Sequence, residues 1–177
     1  MKLAEKLEVM LTKDQIAKRV QEMGAQIERD YAGKDLLLLG VLKGSFVFIS
    51  DLSRSIDLPL SVDFIGLSSY GEATESSGVV KITSDVSKPI ENKHVLIVED
   101  IVDTGLTMNF LKKHLLNHKP KSLVTATLLM KPDALKEDCP VDYVGFKIPN
   151  DFVVGYGLDY QGYFRNLPYI AQVSNIN

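Results

Sequence analysis

Cysteine is nearly missing from this chain. Cys139 is the only one in 177 residues, so no intrachain disulfide can form, and a reducing compartment such as the cytoplasm is expected. Long apolar runs are missing too. The most apolar stretch, Leu36 to Leu42, is far shorter than the ~20 residues a membrane helix needs. The opening MKLAEKLEVM carries Glu5 and Glu8 where a secretory signal needs an apolar core. No basic tract is present, since 20 Lys and Arg stand against 23 Asp and Glu, for a net charge of -3. Nucleic-acid affinity rests on neutralising phosphates with cations, so this balance speaks against a nucleic-acid partner. There are no internal repeats and no low-complexity linkers. The Walker A string is absent. Gly155-x-Gly157 lacks the third glycine and the following helix of a dinucleotide fingerprint, so the kinase and dehydrogenase classes fall away.

The remainder is ordinary for a globular domain, with 45% hydrophobic and 24% charged residues. At about 150 residues per domain, residues 1–177 form one domain. Such a chain buries roughly 70% of its unfolded surface and needs no covalent staples. Thr12-Lys13-Asp14-Gln15 is a capping box, and Ile16, Val20, Met23 and Ile27 follow at helical spacing, with Gly33 as a stop. Leu36 to Val41 and Val95 to Val98 are short apolar runs that suit strands covered on both faces. A helix is expected from Gly44 to before Pro59, and another from Leu106 to Leu116. Further strands are expected at Val62 to Leu67, Val79 to Thr83, Val124 to Met130 and Tyr143 to Ile148, with a short piece near Val153 completing the sheet. Residues 68–78, SSYGEATESSG, have the composition of a mobile loop. The alternation predicts an open, mainly parallel α/β sheet flanked by helices. Ligands in such folds sit outside the carboxyl ends of the strands.

The chemistry concentrates at one of those ends. In Val95 to Thr107, VLIVEDIVDTGLT, four apolar residues run into Glu99 and Asp100. Asp103, Thr104, Gly105 and Thr107 then lead into a helix. Free N–H groups and the positive end of the helix dipole make such a start an anion cradle. Gly105 lets the backbone approach closely. Two adjacent carboxylates would repel a bare phosphate, but they suit ribose hydroxyls or Mg²⁺. The bland alternative is an acidic turn with Asp103 as a helix N-cap.

This string resembles the phosphoribosyl-pyrophosphate (PRPP) motif of the type I phosphoribosyltransferases. Val41-Leu42-Lys43-Gly44-Ser45 resembles the pyrophosphate loop of their 6-oxopurine branch, and Ser69-Tyr70-Gly71 the start of its lid. Lys131-Pro132, Asp151 to Tyr160 and Tyr163-Phe164-Arg165 follow in family order. The resemblance spans about Leu36 to Val173. It implies the type I phosphoribosyltransferase fold, with a lid at about 68–78 and a small hood built from the N-terminal segment and 149–177. It also implies a purine-salvage reaction, in which the phosphoribosyl group of PRPP passes to N9 of hypoxanthine, and of guanine, with release of pyrophosphate. Mg²⁺ is the implied cofactor. Carried over position by position, Glu99 and Asp100 hold the ribose hydroxyls and lie near one Mg²⁺, while Asp103 is the general base facing purine N7. Thr104, Gly105, Leu106 and Thr107 take the 5′-phosphate; many relatives carry a basic residue where Leu106 stands. Leu42, Lys43, Gly44 and Arg165 meet pyrophosphate, and Asp159 is a direct Mg²⁺ ligand beside the purine. Lys131 donates to purine O6, Phe152 and Ile101 pack the two faces of the base, and the main chain at Val153 meets its Watson–Crick edge. Ser69 and Tyr70 close over the reaction. The family is usually dimeric or tetrameric, and Met1 to Leu11 and the helix from Gly44 offer apolar surface for an interface.

Alternatives stay open at this level. A preference for xanthine and guanine is one, because main chain touches the exocyclic position. A PRPP-sensing, nucleic-acid-binding regulator on the same fold is another; the acidic balance and Asp103 oppose it. His114 and His118 stand at i, i+4, a spacing that can bind zinc. With no HExxH and no third ligand nearby in sequence, they are better explained as cations at a helix C-terminus. Cys139, beside Pro140, is expected to be incidental.

Overall fold

The computed structural model describes residues 6–69 and 80–174. Helix α1 (Lys13–Tyr31) begins at the expected box, where the Thr12 hydroxyl accepts from Gln15 N and the Gln15 amide oxygen accepts from Thr12 N. Ile16, Val20, Met23 and Ile27 are all buried along its inner face. Strand β2 (Leu36–Leu42) lies between β3 (Leu60–Ser69) and β5 (His94–Val102), parallel to both. This central position explains its run of leucines, since a strand covered on both faces has no polar side to show. Helix α2 (Phe46–Arg54) follows β2, and α3 (Leu106–Leu116) follows β5.

Strands β6 (Ser122–Met130) and β7 (Tyr143–Lys147) continue the parallel sheet on one side. On the other side β4 (Val80–Ser84) returns antiparallel to β3, as the expected hairpin arm. The order is β4-β3-β2-β5-β6-β7. One apolar cluster, with α1 and α2, fills one face of this sheet, and a second, with α3, fills the other.

Two expectations need correction. The strand expected at Val95 to Val98 runs on to Val102, so Glu99, Asp100 and Ile101 lie inside β5 rather than beyond it. The piece at Val153 does not complete the main sheet. As β8 (Val153–Val154) it joins a separate antiparallel sheet, β1-β9-β8, with β1 (Lys6–Leu11) and β9 (Ile170–Ser174). The partner that decides this, Gln172, is remote in sequence, and local periodicity carries no trace of it. Of the expected lid, residues 68 and 69 end β3, while Tyr70 to Gly78 lie outside the described residues. No helix of the described residues is long and apolar enough to cross a membrane.

Candidate active site

Two cavities meet at the carboxyl ends of β2 and β5. The first, about 300 Å³, is lined by Leu42, Lys43 and Gly44 on one side and by Glu99 to Gly105 with Thr107 on the other. The second, about 260 Å³, is lined by Lys131, Phe152, Val153, Asp159 and Arg165, among others. Gly44, Asp100, Ile101 and Asp103 border both. The site residues expected from sequence thus come together from segments more than a hundred positions apart. Leu106 lines neither cavity, and Tyr70 lies outside the described residues.

The first cavity is shaped by backbone. Gly105 precedes α3 with φ of +81°, a left-handed conformation that L side chains rarely adopt. No side chain among the described residues caps this helix start, which leaves its N–H groups free for an anion. Across the cavity the Leu42–Lys43 peptide is cis. The loop it opens is tied back by the buried Ser45, whose hydroxyl donates to Val41 O at 2.6 Å. Lys43 itself is exposed.

Glu99 is only 7% exposed, with Asp100 next to it. Burial first, then the neighbouring Asp100 charge, push the Glu99 carboxyl well above its ordinary value, against the Asp100 N–H that donates to Glu99 Oε1 at 3.3 Å. Asp100 Oδ1 accepts from Ile101 N at 2.9 Å, which fixes the carboxylate direction.

In the second cavity Lys131, also 7% exposed, points its Nζ at Asp103 Oδ2, 3.5 Å away. Its backbone N–H donates to Val102 O, so the end of β6 is pinned beside Asp103. The Phe152 ring is exposed and meets Tyr160 edge-on, centroids 5.6 Å apart. Arg165 Nη2 pairs with Asp159 Oδ1 at 2.6 Å, while Nη1 donates to Gly157 O at 2.6 Å. The other Asp159 oxygen accepts from Gly162 N. Arg165 borders the second cavity, together with Gly44 of the loop expected to meet pyrophosphate.

The family model for the phosphoribosyl transferase domain matches residues 9–161, most of the chain. The chain belongs to the phosphoribosyltransferase family. Among curated relatives of this phosphoribosyltransferase, the hypoxanthine-guanine phosphoribosyltransferase of Dictyostelium discoideum is 53% identical over 171 residues, covering 94% of each chain. That of Mycobacterium tuberculosis is 51% identical over 169 residues, covering 92% of this chain and 84% of its own. The crystal structure of a hypoxanthine phosphoribosyltransferase from Staphylococcus aureus superposes with a TM-score of 0.90 at 50% identity, covering 94% of this chain and 91% of that one.

Sequence reasoning missed two features of this phosphoribosyltransferase. The Asp159–Arg165 pair joins two residues that were given separate tasks; their six-residue spacing around the Gly162 turn was the available signal. Cys139 also has a place. It is buried, and a β-carbon added at Gly105 would come within 2.9 Å of its own. It thus packs under the anion-cradle turn, where burial holds its thiol above the ordinary value.

Proposed function

We propose that this chain is a purine-salvage enzyme, transferring the 5-phosphoribosyl group from PRPP to N9 of hypoxanthine and guanine to give the nucleotide and pyrophosphate. The observation that carries this is the pair of adjoining cavities sharing Asp100, Ile101 and Asp103. One is walled by a glycine-led helix start and acidic groups, as a phosphorylated sugar needs. The other has a buried lysine and an exposed aromatic ring, as a planar oxopurine needs.

In this reading the free N–H groups and hydroxyls from Thr104 to Thr107 take the 5′-phosphate. Glu99 and Asp100 accept from the ribose hydroxyls, and Leu42, Lys43 and Gly44 border the pyrophosphate. Lys131 donates to purine O6. Adenine carries an amino group at that position and would meet a donor with a donor. Phe152 and Ile101 flank the base, and the Val153 main chain faces its Watson–Crick edge. Asp103 takes the N7 proton as N9 bonds to C1 of the ribose; Lys131, ion-paired with it, keeps that carboxylate aimed at the base. The second sheet serves as the hood.

The donor set fits Mg²⁺. Glu99 and Asp100 are adjacent hard oxygen ligands, and burying them together costs free energy unless a cation balances the charge. When bound, Mg²⁺ would neutralise charge on the departing pyrophosphate. Asp159 also belongs to the proposed set, with Arg165 as its neighbour. We further propose a cytoplasmic homodimer or homotetramer; the exposed Phe46 at the start of α2 offers apolar surface for it.

The test is direct. Protein, Mg²⁺, PRPP and hypoxanthine are mixed and nucleotide is followed by absorbance, with guanine and xanthine in parallel. Turnover with hypoxanthine and guanine is expected. Absence of turnover with every 6-oxopurine overturns the proposal, and faster turnover with xanthine corrects the base preference.

A further inference from the structure

His114 lies in the last turn of α3 and His118 just beyond it, and the fold brings Asp85 to them from the end of β4. His114 Nε2 is 3.0 Å from Asp85 Oδ2. His118 Nε2 is 3.4 Å from His114 Nε2 and 4.0 Å from the same Asp85 oxygen. Three potential ligand atoms therefore form one small triangle, and none of the three residues lines either cavity described above.

Hydrogen bonding alone accounts poorly for it. An imidazole Nε2 has either one proton or one lone pair. If His114 Nε2 donates to Asp85, it has no lone pair left to accept from His118. A metal ion satisfies all three at once, because each offers an electron pair to the same point. Ligand atoms about 2.0–2.2 Å from a tetrahedral Zn²⁺ lie about 3.3–3.6 Å from one another, and the three observed separations bracket that range. The carboxylate is already oriented, since Asp85 Oδ1 accepts from Val86 N at 2.8 Å. Both imidazoles are partly covered, with side chains 26% and 34% exposed.

We propose that Asp85, His114 and His118 form a binding site for a transition-metal dication of the Zn²⁺ class, with water in the fourth position. Two imidazoles and one carboxylate select such an ion over Mg²⁺, which prefers all-oxygen ligands. The ion ties the C-terminal end of α3 to the end of β4. The opposite end of α3 carries the proposed 5′-phosphate loop, so the site braces the element that presents that loop without touching substrate.

Zn²⁺ is titrated calorimetrically into the full chain in millimolar Mg²⁺, which occupies the acidic site. One strongly bound Zn²⁺ per chain and a rise in Tm are expected. His114→Gln and His118→Gln should each weaken binding by at least ~10–100-fold, the loss that removing even an outer partner of a ligand brings. Both should also abolish the Zn²⁺-dependent rise in Tm, while circular dichroism verifies their fold. His94→Gln removes the remaining histidine and should change neither. Zn²⁺ binding of equal strength in both variants, or no binding to the unmodified chain, overturns the proposal.

Discussion

Gly44 sits directly against the Asp100 side chain: a β-carbon at position 44 would overlap the Asp100 carboxylate. The proposed pyrophosphate loop and the proposed ribose-binding acid thus touch, and each sets where the other lies. Gly44→Ala must push one of them away. Displacing reacting groups by about 1 Å can cost ~10²-fold in rate, so kcat/KM for PRPP should fall by about that factor. Steady-state kinetics checks it, and a change of less than threefold would show that the contact relaxes at no cost to catalysis.

Asp103 faces both cavities and is exposed enough to reach a substrate. As the general base it should be worth about 10²–10⁴ in turnover. Asp103→Ala should lower kcat by that factor with a modest effect on PRPP affinity. Unchanged kcat would remove Asp103 from the role.

Lys131 is nearly buried, with its charge balanced by Asp103. A hydrogen bond from a charged donor contributes about 1.5–3 kcal/mol, so Lys131→Ala should raise KM for hypoxanthine by roughly 10–10²-fold and KM for PRPP much less. Equal shifts in the two constants would mean that Lys131 only positions Asp103 and does not read the base.

What sequence alone could supply follows a physical division. β2 and β5 are legible because both faces are covered, and α1 because its cap and apolar stripe are local. The helix-start anion cradle is legible for the same reason: its glycine, hydroxyls and acids are contiguous. β8 has two residues and exists only through Gln172 and Ala171, so nothing local announces its sheet. The Asp85–His114–His118 triangle is hidden similarly. Its histidines have a visible helical spacing, but the third atom arrives from just past the end of β4, 29 positions upstream of His114. The Arg165–Asp159 pair depends on a turn at Gly162 that family order alone does not describe.

Glu99 contributes a specific pH dependence to the stability of the metal-free protein. Its folded carboxyl holds a proton well above the ordinary 4.5, because of burial first and Asp100 second. Above pH 4.5 the unfolded chain therefore releases this proton while the native state keeps it. The native state then binds more protons, and stability must fall as pH rises until the folded carboxyl also ionises. In EDTA, this group's contribution to Tm, read as the difference between the unmodified protein and Glu99→Gln, should decline from pH 4.5 upward and then level off. Glu99→Gln, which is neutral throughout, should lack that decline. If Mg²⁺ binds the ionised pair in the native state as proposed, it should restore Tm at the upper end of the window in the unmodified protein, and should do so less in Glu99→Gln. Calorimetric scans at several pH values, with and without Mg²⁺, check all three expectations. The same decline in the variant as in the unmodified protein would mean that another group controls it.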